Sequence, residues 1–193
     1  MRIGIDISQI VYEGTGVATY VRRIVETLLT LDTRNEYVLF GSSLRKRDAF
    51  ETFLRQMKRK NKNVELVSVA IPPTFLDILW NTWHVMPVEK LTGPLDIFWS
   101  SDWTQPPLIH AKGVTTIHDL IACKFPQETH AKTELMGGNI SANIVATQKK
   151  RLEWVGKECQ AIFCDSLSTK KDVMALLHIP ESRLHVVYPG ISL

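Results

Sequence analysis

Seven short apolar runs punctuate this chain: Arg2–Ile7, Glu36–Phe40, Val64–Val69, Leu95–Trp99, Val114–His118, Ala161–Asp165 and Leu184–Val187. Several are apolar throughout and rich in β-branched residues, the composition of strands covered on both faces. Between them, apolar residues recur every three or four positions, which makes one face of a helix. Val17, Tyr20, Val21, Ile24, Leu28 and Leu31 do so after the first run, and Phe50, Phe53, Leu54 and Met57 after the second. Leu76, Leu79, Trp80, Trp83 and Met86 predict a helix that ends or kinks at Pro87, where the ring removes a backbone N–H. Ile140, Ile144, Val145, Leu152 and Val155 stripe a long helix to about Lys157, and a last helix spans about Ser168 to Leu177. Strand–helix alternation requires crossover connections, so the expected fold is α/β, three-layered, with a mostly parallel sheet of about seven strands.

A chain of 193 residues suits one such Rossmann-like domain. At 45% apolar and 22% charged residues its composition is that of an ordinary globular protein. No apolar run reaches the roughly 18 residues that cross a bilayer. Asp6 interrupts the N-terminal run too early for a signal peptide. Cys123, Cys159 and Cys164 are odd in number and lack metal-ligand spacing. They suit a reducing cytoplasm and read as small buried residues. Gly137-Gly138 breaks the helical pattern, so residues 121–138 are expected to form a long loop, a feature that is usually functional or disordered.

Charge is concentrated. Residues 44–62 hold eight basic and two acidic side chains, a net of +6 against +3 for the whole chain. Arg45, Lys46, Arg47, Lys58 and Arg59, with Phe50, Phe53, Leu54 and Met57, form either a solvated helix face or a contact with an anionic membrane surface. Nucleic acid is not expected, because no reading motif accompanies the charge.

Candidate chemistry begins at Thr115-Thr116-Ile117-His118-Asp119-Leu120, a strand that ends on a histidine and a carboxylate. Ligands of open α/β sheets bind at the carboxyl ends of strands, so His118 and Asp119 are placed for chemistry. The alternative is a satisfied surface pair. Gly14-Thr15-Gly16 opens the first helix. Glycines there let N–H groups approach an anion, or make a plain turn. Thr19 stands where a dinucleotide fingerprint has its third glycine, Ser8 to Glu13 intervene after the strand, and no acidic residue follows Phe40-Gly41-Ser42. A nicotinamide cofactor is therefore not expected. The phosphate loop of P-loop nucleotidases is absent from the sequence.

The order of pieces is more specific than any one. Gly14-Thr15-Gly16 is followed by Leu95-Asp96-Ile97-Phe98-Trp99-Ser100, then Thr116-Ile117-His118-Asp119-Leu120, then Asp165 to Val173, then Val186-Val187-Tyr188-Pro189-Gly190-Ile191. The series resembles the N-terminal domain of a GT-B glycosyltransferase of the retaining family 4 (group 1) kind. Ile78-Leu79-Trp80-Asn81 through Pro87, and Ser101 to Pro107, resemble its mannosyltransferase-like branch.

The resemblance implies that residues 1–188 are the acceptor-side half of a two-domain enzyme, that 189–193 begin the interdomain linker, and that the donor domain is absent. The whole enzyme would move a sugar from a nucleotide-sugar donor to a hydroxyl acceptor, a glycan or lipid-linked saccharide, with retention, in polysaccharide or lipopolysaccharide biosynthesis. This half alone would be inactive. Gly14, Thr15 and Gly16 would face the donor diphosphate. His118 would face the transferred sugar or the acceptor hydroxyl, with Asp119 orienting His118 or the acceptor. Asp102, Trp103 and His130 would meet the acceptor. Neither metal nor cofactor is expected, and the location would be cytoplasmic or peripheral at the inner face of the membrane. A stand-alone binding module of the same fold, and another nucleotide-using Rossmann enzyme, are the alternatives. Of the remaining groups, Trp80, Trp83 and Trp99 read as core, and Lys149, Lys150 and Arg151 as an exposed helix face. Ser166 to Lys171 read as helix-capping chemistry, and His84, His110, His178 and His185 as structural.

Overall fold

The computed structural model describes residues 1–125 and 139–190. Its strands are β1 (Arg2–Asp6), β2 (Glu36–Ser42), β3 (Val64–Val69), β4 (Ile97–Ser100), β5 (Lys112–Ile117), β6 (Cys159–Cys164) and β7 (Leu184–Val186). They form one sheet in the order β3-β2-β1-β4-β5-β6-β7. Every pairing is parallel, so the sheet is wholly parallel. The helices are α1 (Gly16–Leu31), α2 (Arg47–Lys58), α3 (Pro73–Leu76), α4 (Glu89–Thr92), α5 (Ile121–Lys124), α6 (Asn139–Glu158) and α7 (Leu167–Leu177). A π-helical segment, Asp77–Thr82, continues α3.

Both faces of the sheet are covered, and β2 shows how. Tyr37 and Leu39 join Val25, Leu29, Phe50 and Phe53 of α1 and α2 in one core cluster. The alternate residues Val38 and Phe40 join Leu76, Trp80 and Phe98 in another. Two-residue periodicity sends neighbours to opposite faces, so a continuous apolar run is what this position requires. Gly41 belongs to the same logic: a Cβ there would lie 2.8 Å from the Phe50 ring, and its absence lets α2 close on the strand. A third cluster, with Ile117, Leu152, Val155, Ile162 and Val173, holds α6 and α7 to β5 and β6.

Local signals set the helix ends. The Thr15 side chain accepts from the Ala18 N–H at 3.2 Å and caps α1. Ser166 accepts from the Thr169 N–H at 3.0 Å and caps α7, the capping role expected of that segment. Asp32 closes α1. Its carboxylate accepts from the Asn35 side chain, the Tyr37 hydroxyl and the Arg34 N–H. These donors pull its pKa from 3.8 to about 2. A depressed native pKa stabilises the fold above the ordinary value and is lost as pH falls through the native one. Asp32→Asn is therefore expected to be less stable than the parent at pH 7. Thermal melts taken from pH 5 down should show that gap closing between pH 3.8 and about 2; a gap independent of pH would refute the ionic contribution.

Several expectations are corrected. The helix through Met86 stops at Thr82. His84 and Met86 take left-handed backbone, φ 52° and 63°, and a residue before proline is disfavoured in the helical region. Trp83, expected in the core, is 62% exposed because the turn carries it off the packed face. Trp80 remains fully buried. Trp99 is half-buried, its Nε1 donating to the Thr116 hydroxyl at 3.2 Å. Arg151, expected on an exposed face, is 2% exposed, since α6 lays it against the tips of β4 and β5. The stretch from 121 opens with helix α5 rather than loop. Residues 126–138, with Gly137-Gly138, lie outside the described residues, as do the side chains of Ile140 and Ile144. Cys159 and Cys164 are buried and Cys123 half-buried, all three as free thiols.

Candidate functional site

Strand order reverses between β1 and β4, which opens a crevice beyond their carboxyl ends. A cavity of about 370 Å³ occupies it, walled by Ser8, Tyr12, Thr15, Leu76, Asp102 and Trp103. Gly14 has φ 82°, a conformation that glycine adopts without strain, and it delivers the chain to the Thr15 cap. The Gly16 and Val17 N–H groups of the first helical turn take no partner among the described residues. Such open donors suit an anion. Thus Thr15, Asp102 and Trp103, far apart in sequence, border one cavity.

Beside it lies a second cavity of about 180 Å³ at the tip of β5, lined by His118, Asp119, Gln148 and Arg151. Asp102 borders both. The His118 Nδ1 lies 2.6 Å from the Asp165 carboxylate. A carboxylate accepts, so the proton sits on Nδ1 and Nε2 is left for a ligand. Tyr20 meets the His118 ring edge-on, centroids 4.8 Å apart, and the Thr169 hydroxyl donates to the His118 carbonyl at 3.1 Å. Burial pushes the Tyr20 hydroxyl up in pKa, against its Thr116 hydrogen bond, and Asp165 adds to the rise. It stays a protonated wall of the site.

The carboxylate that orients His118 is Asp165. Asp119 is exposed and accepts from the Ile121 N–H at 2.9 Å, in the turn that leads into α5. Sequence spacing concealed Asp165 because it lies 47 residues from His118. Only the parallel pairing of Ile117 with Cys164 carries the two strand tips side by side. The available signal was an acidic residue ending a second apolar run.

Beneath the first cavity Asp6 is 3% exposed and accepts from the Ser8 N–H at 2.8 Å. Burial raises its carboxyl pKa, partly offset by Ser8 and Ser101, while Asp102 adds to the rise. His84 stacks on Trp154 and bonds Glu158 at 2.8 Å, a structural clamp on α6. His130 lies outside the described residues. Among the described residues no group of three metal-ligating side chains comes together.

The basic segment is α2 and its approach. Phe50, Phe53 and Met57 are buried in the core, so the apolar face expected against a membrane is already occupied. Lys46 donates to the Val11 carbonyl and Arg47 to Ser68. Arg45, Lys58 and Arg59 are exposed. No helix among the described residues is long and apolar enough to cross a membrane.

The model of Glycosyltransferase Family 4 matches residues 14–193. The chain belongs to that family. The match takes in Gly14 to Gly16, the whole lining of the second cavity and the His118–Asp165 pair of this family 4 domain. Among curated proteins nothing matches the sequence. Among solved structures, a short-chain dehydrogenase from Oenococcus oeni is similar at 12% identity and a TM-score of 0.39, over 99% of this chain and 80% of that one.

Proposed function

We propose that this family 4 domain is the acceptor-side half of a glycosyltransferase that moves a sugar from a nucleotide-sugar donor to a hydroxyl acceptor with retention. The observation that carries this reading is the pair of adjoining cavities at the strand tips, bridged by Asp102, with His118 fixed by Asp165 in one wall. The open N–H groups at the start of α1 would stabilise negative charge as the diphosphate departs. Trp103 and Tyr12 offer faces on which a sugar ring can stack. His118 Nε2 would hydrogen-bond a hydroxyl of the transferred sugar or of the acceptor. Closure of a donor domain over the cleft would exclude the water that hydrolyses the donor. The acceptor class we favour is a glycan or lipid-linked saccharide. Arg45, Lys58 and Arg59 are left for electrostatic contact with an anionic leaflet, a contact made by charge rather than by apolar insertion.

The test is calorimetric titration of this chain with nucleotide sugars and, separately, tryptophan-fluorescence titration with methyl glycosides. Weak nucleotide binding is expected, with the glycosides quenching fluorescence in the parent but not in Trp103→Phe. Nucleotide binding tighter than about 10 μM, near −7 kcal/mol, would instead favour an enzyme that holds its nucleotide in this domain.

A further inference from the structure

Arg151 is the largest charged side chain in the interior, at 2% exposure. Its Nε donates to the Ser101 carbonyl at 3.1 Å, and its Nη2 to the Thr115 hydroxyl at 2.8 Å and the Thr116 carbonyl at 3.2 Å. These bonds lock the guanidinium plane. Its Nη1 takes no partner among the described residues, and no carboxylate there lies within ion-pairing distance. A desolvated charge left unpaired is costly. Burial lowers the Arg151 pKa, and the carboxylate whose field opposes that fall is Asp102.

Asp102 is in the complementary state. Its backbone is pinned by the Gln148 side chain, which donates to the Asp102 carbonyl at 2.8 Å. Its side chain accepts no hydrogen bond among the described residues, and Oδ1 is buried. Both residues line the cavity that contains His118. Arg151 is held by its own side-chain bonds and Asp102 by its backbone, and no hydrogen bond or ion pair among the described residues joins the two across the cavity they line.

We infer that Arg151 and Asp102 form a hydroxyl-recognition pair that selects which sugar the site accepts. This rests on the glycosyl-transfer reading and adds to it a named specificity determinant. One ligand hydroxyl satisfies both groups: its O–H donates to Asp102 Oδ2, the carboxylate oxygen that is not buried, and its oxygen accepts from Arg151 Nη1. Other ligands fit worse. Asp102 and Asp119 in the same lining repel an oxyanion, Arg151 repels an amine, and an apolar group would leave both polar side chains unpaired. A neutral polyol remains. The recognised hydroxyl is not the nucleophile, because a cationic donor on its oxygen withdraws the electron density that attack needs. It is a neighbouring hydroxyl on the same ring, and the reacting one lies toward His118.

The experiment is NMR titration of this chain with a set of methyl hexosides and their single-deoxy analogues, following the Trp103 indole and the His118 ring. The parent is expected to bind at least one hexoside, and to bind one deoxy analogue at least about tenfold more weakly, the loss of a hydrogen bond to a charged group. Arg151→Lys and Asp102→Asn should erase that difference. Asp102 is only half-buried, so Asp102→Asn tests the pair even where Arg151→Lys fails to fold. Hexosides that shift Trp103 and His118 while folded variants keep the discrimination would overturn the pair and leave the glycosyl-transfer reading standing. Hexosides that shift neither group in the parent would overturn both.

Discussion

Trp80→Ala is expected to cost about 3–5 kcal/mol of folding free energy, the range for deleting a large buried aromatic. Trp80 is fully buried, its ring 5.6 Å from that of Phe40, in the cluster that covers the second face of β2. Its Nε1 donates to the Met86 carbonyl at 3.0 Å. That bond ties the left-handed turn at Met86 to the core, so truncation leaves a cavity and also frees the turn. Domains of this size are stable by only about 5–15 kcal/mol, which puts the variant near the edge of folding. Urea denaturation followed by far-UV circular dichroism measures the loss. Trp80→Phe should lose less, because the ring volume is largely kept. A loss under about 1 kcal/mol for the alanine variant would show that this face of the sheet tolerates a void, contrary to the close packing of protein interiors.

The contrast between Trp80 and Trp83 shows what the sequence could reveal. Both sit on one three-residue spacing, and both match an apolar helical stripe. Strand positions were legible because a parallel sheet buried on both faces demands uninterrupted apolar runs. Helices α1, α2 and α7 were legible because one face is apolar, and α1 and α7 also because Thr15 and Ser166 cap them locally. Trp83 was not, because its exposure follows from a π-helical widening and a left-handed turn, which spacing does not encode. Arg151 was hidden for a related reason. In sequence it ends Lys149-Lys150-Arg151 and looks like a solvated face. Its burial depends on the tips of β4 and β5 supplying two carbonyls and a hydroxyl, groups brought together only by the finished fold. The site divides the same way. His118 announced itself as a polar residue ending an apolar strand. Its carboxylate partner came from the end of the next strand of the sheet, while the carboxylate beside it in sequence went to a local turn bond with the Ile121 N–H. At α2 only the apolar part of the membrane reading is overturned, because Phe50, Phe53 and Met57 are buried in the core; an amphipathic helix looks the same in sequence whether its apolar side meets lipid or a sheet.

If the proposed glycosyl transfer is right, His118→Ala is expected to lower turnover by about 10²–10⁴, the range for a positioned proton-handling side chain. Asp165→Asn should act through His118. The carboxylate can only accept from Nδ1, at 2.6 Å, and so holds the tautomer with Nε2 open. An asparagine can present its amide N–H instead, which lets the ring take the opposite tautomer and turns Nε2 from acceptor to donor. Nitrogen-15 NMR of the ring should report this as a change from a single Nδ1-protonated form to a mixture. Turnover should fall by about 10²–10³ with KM for the donor unchanged, since the reacting atoms lose orientation rather than affinity. The double variant should be no slower than His118→Ala alone, because two groups acting as one unit do not add. A double variant slower by the product of the single effects would mean that Asp165 acts on the substrate itself. An Asp165→Asn enzyme with full turnover would remove His118 orientation from the mechanism, and with it the reason for two strand tips to end on this pair.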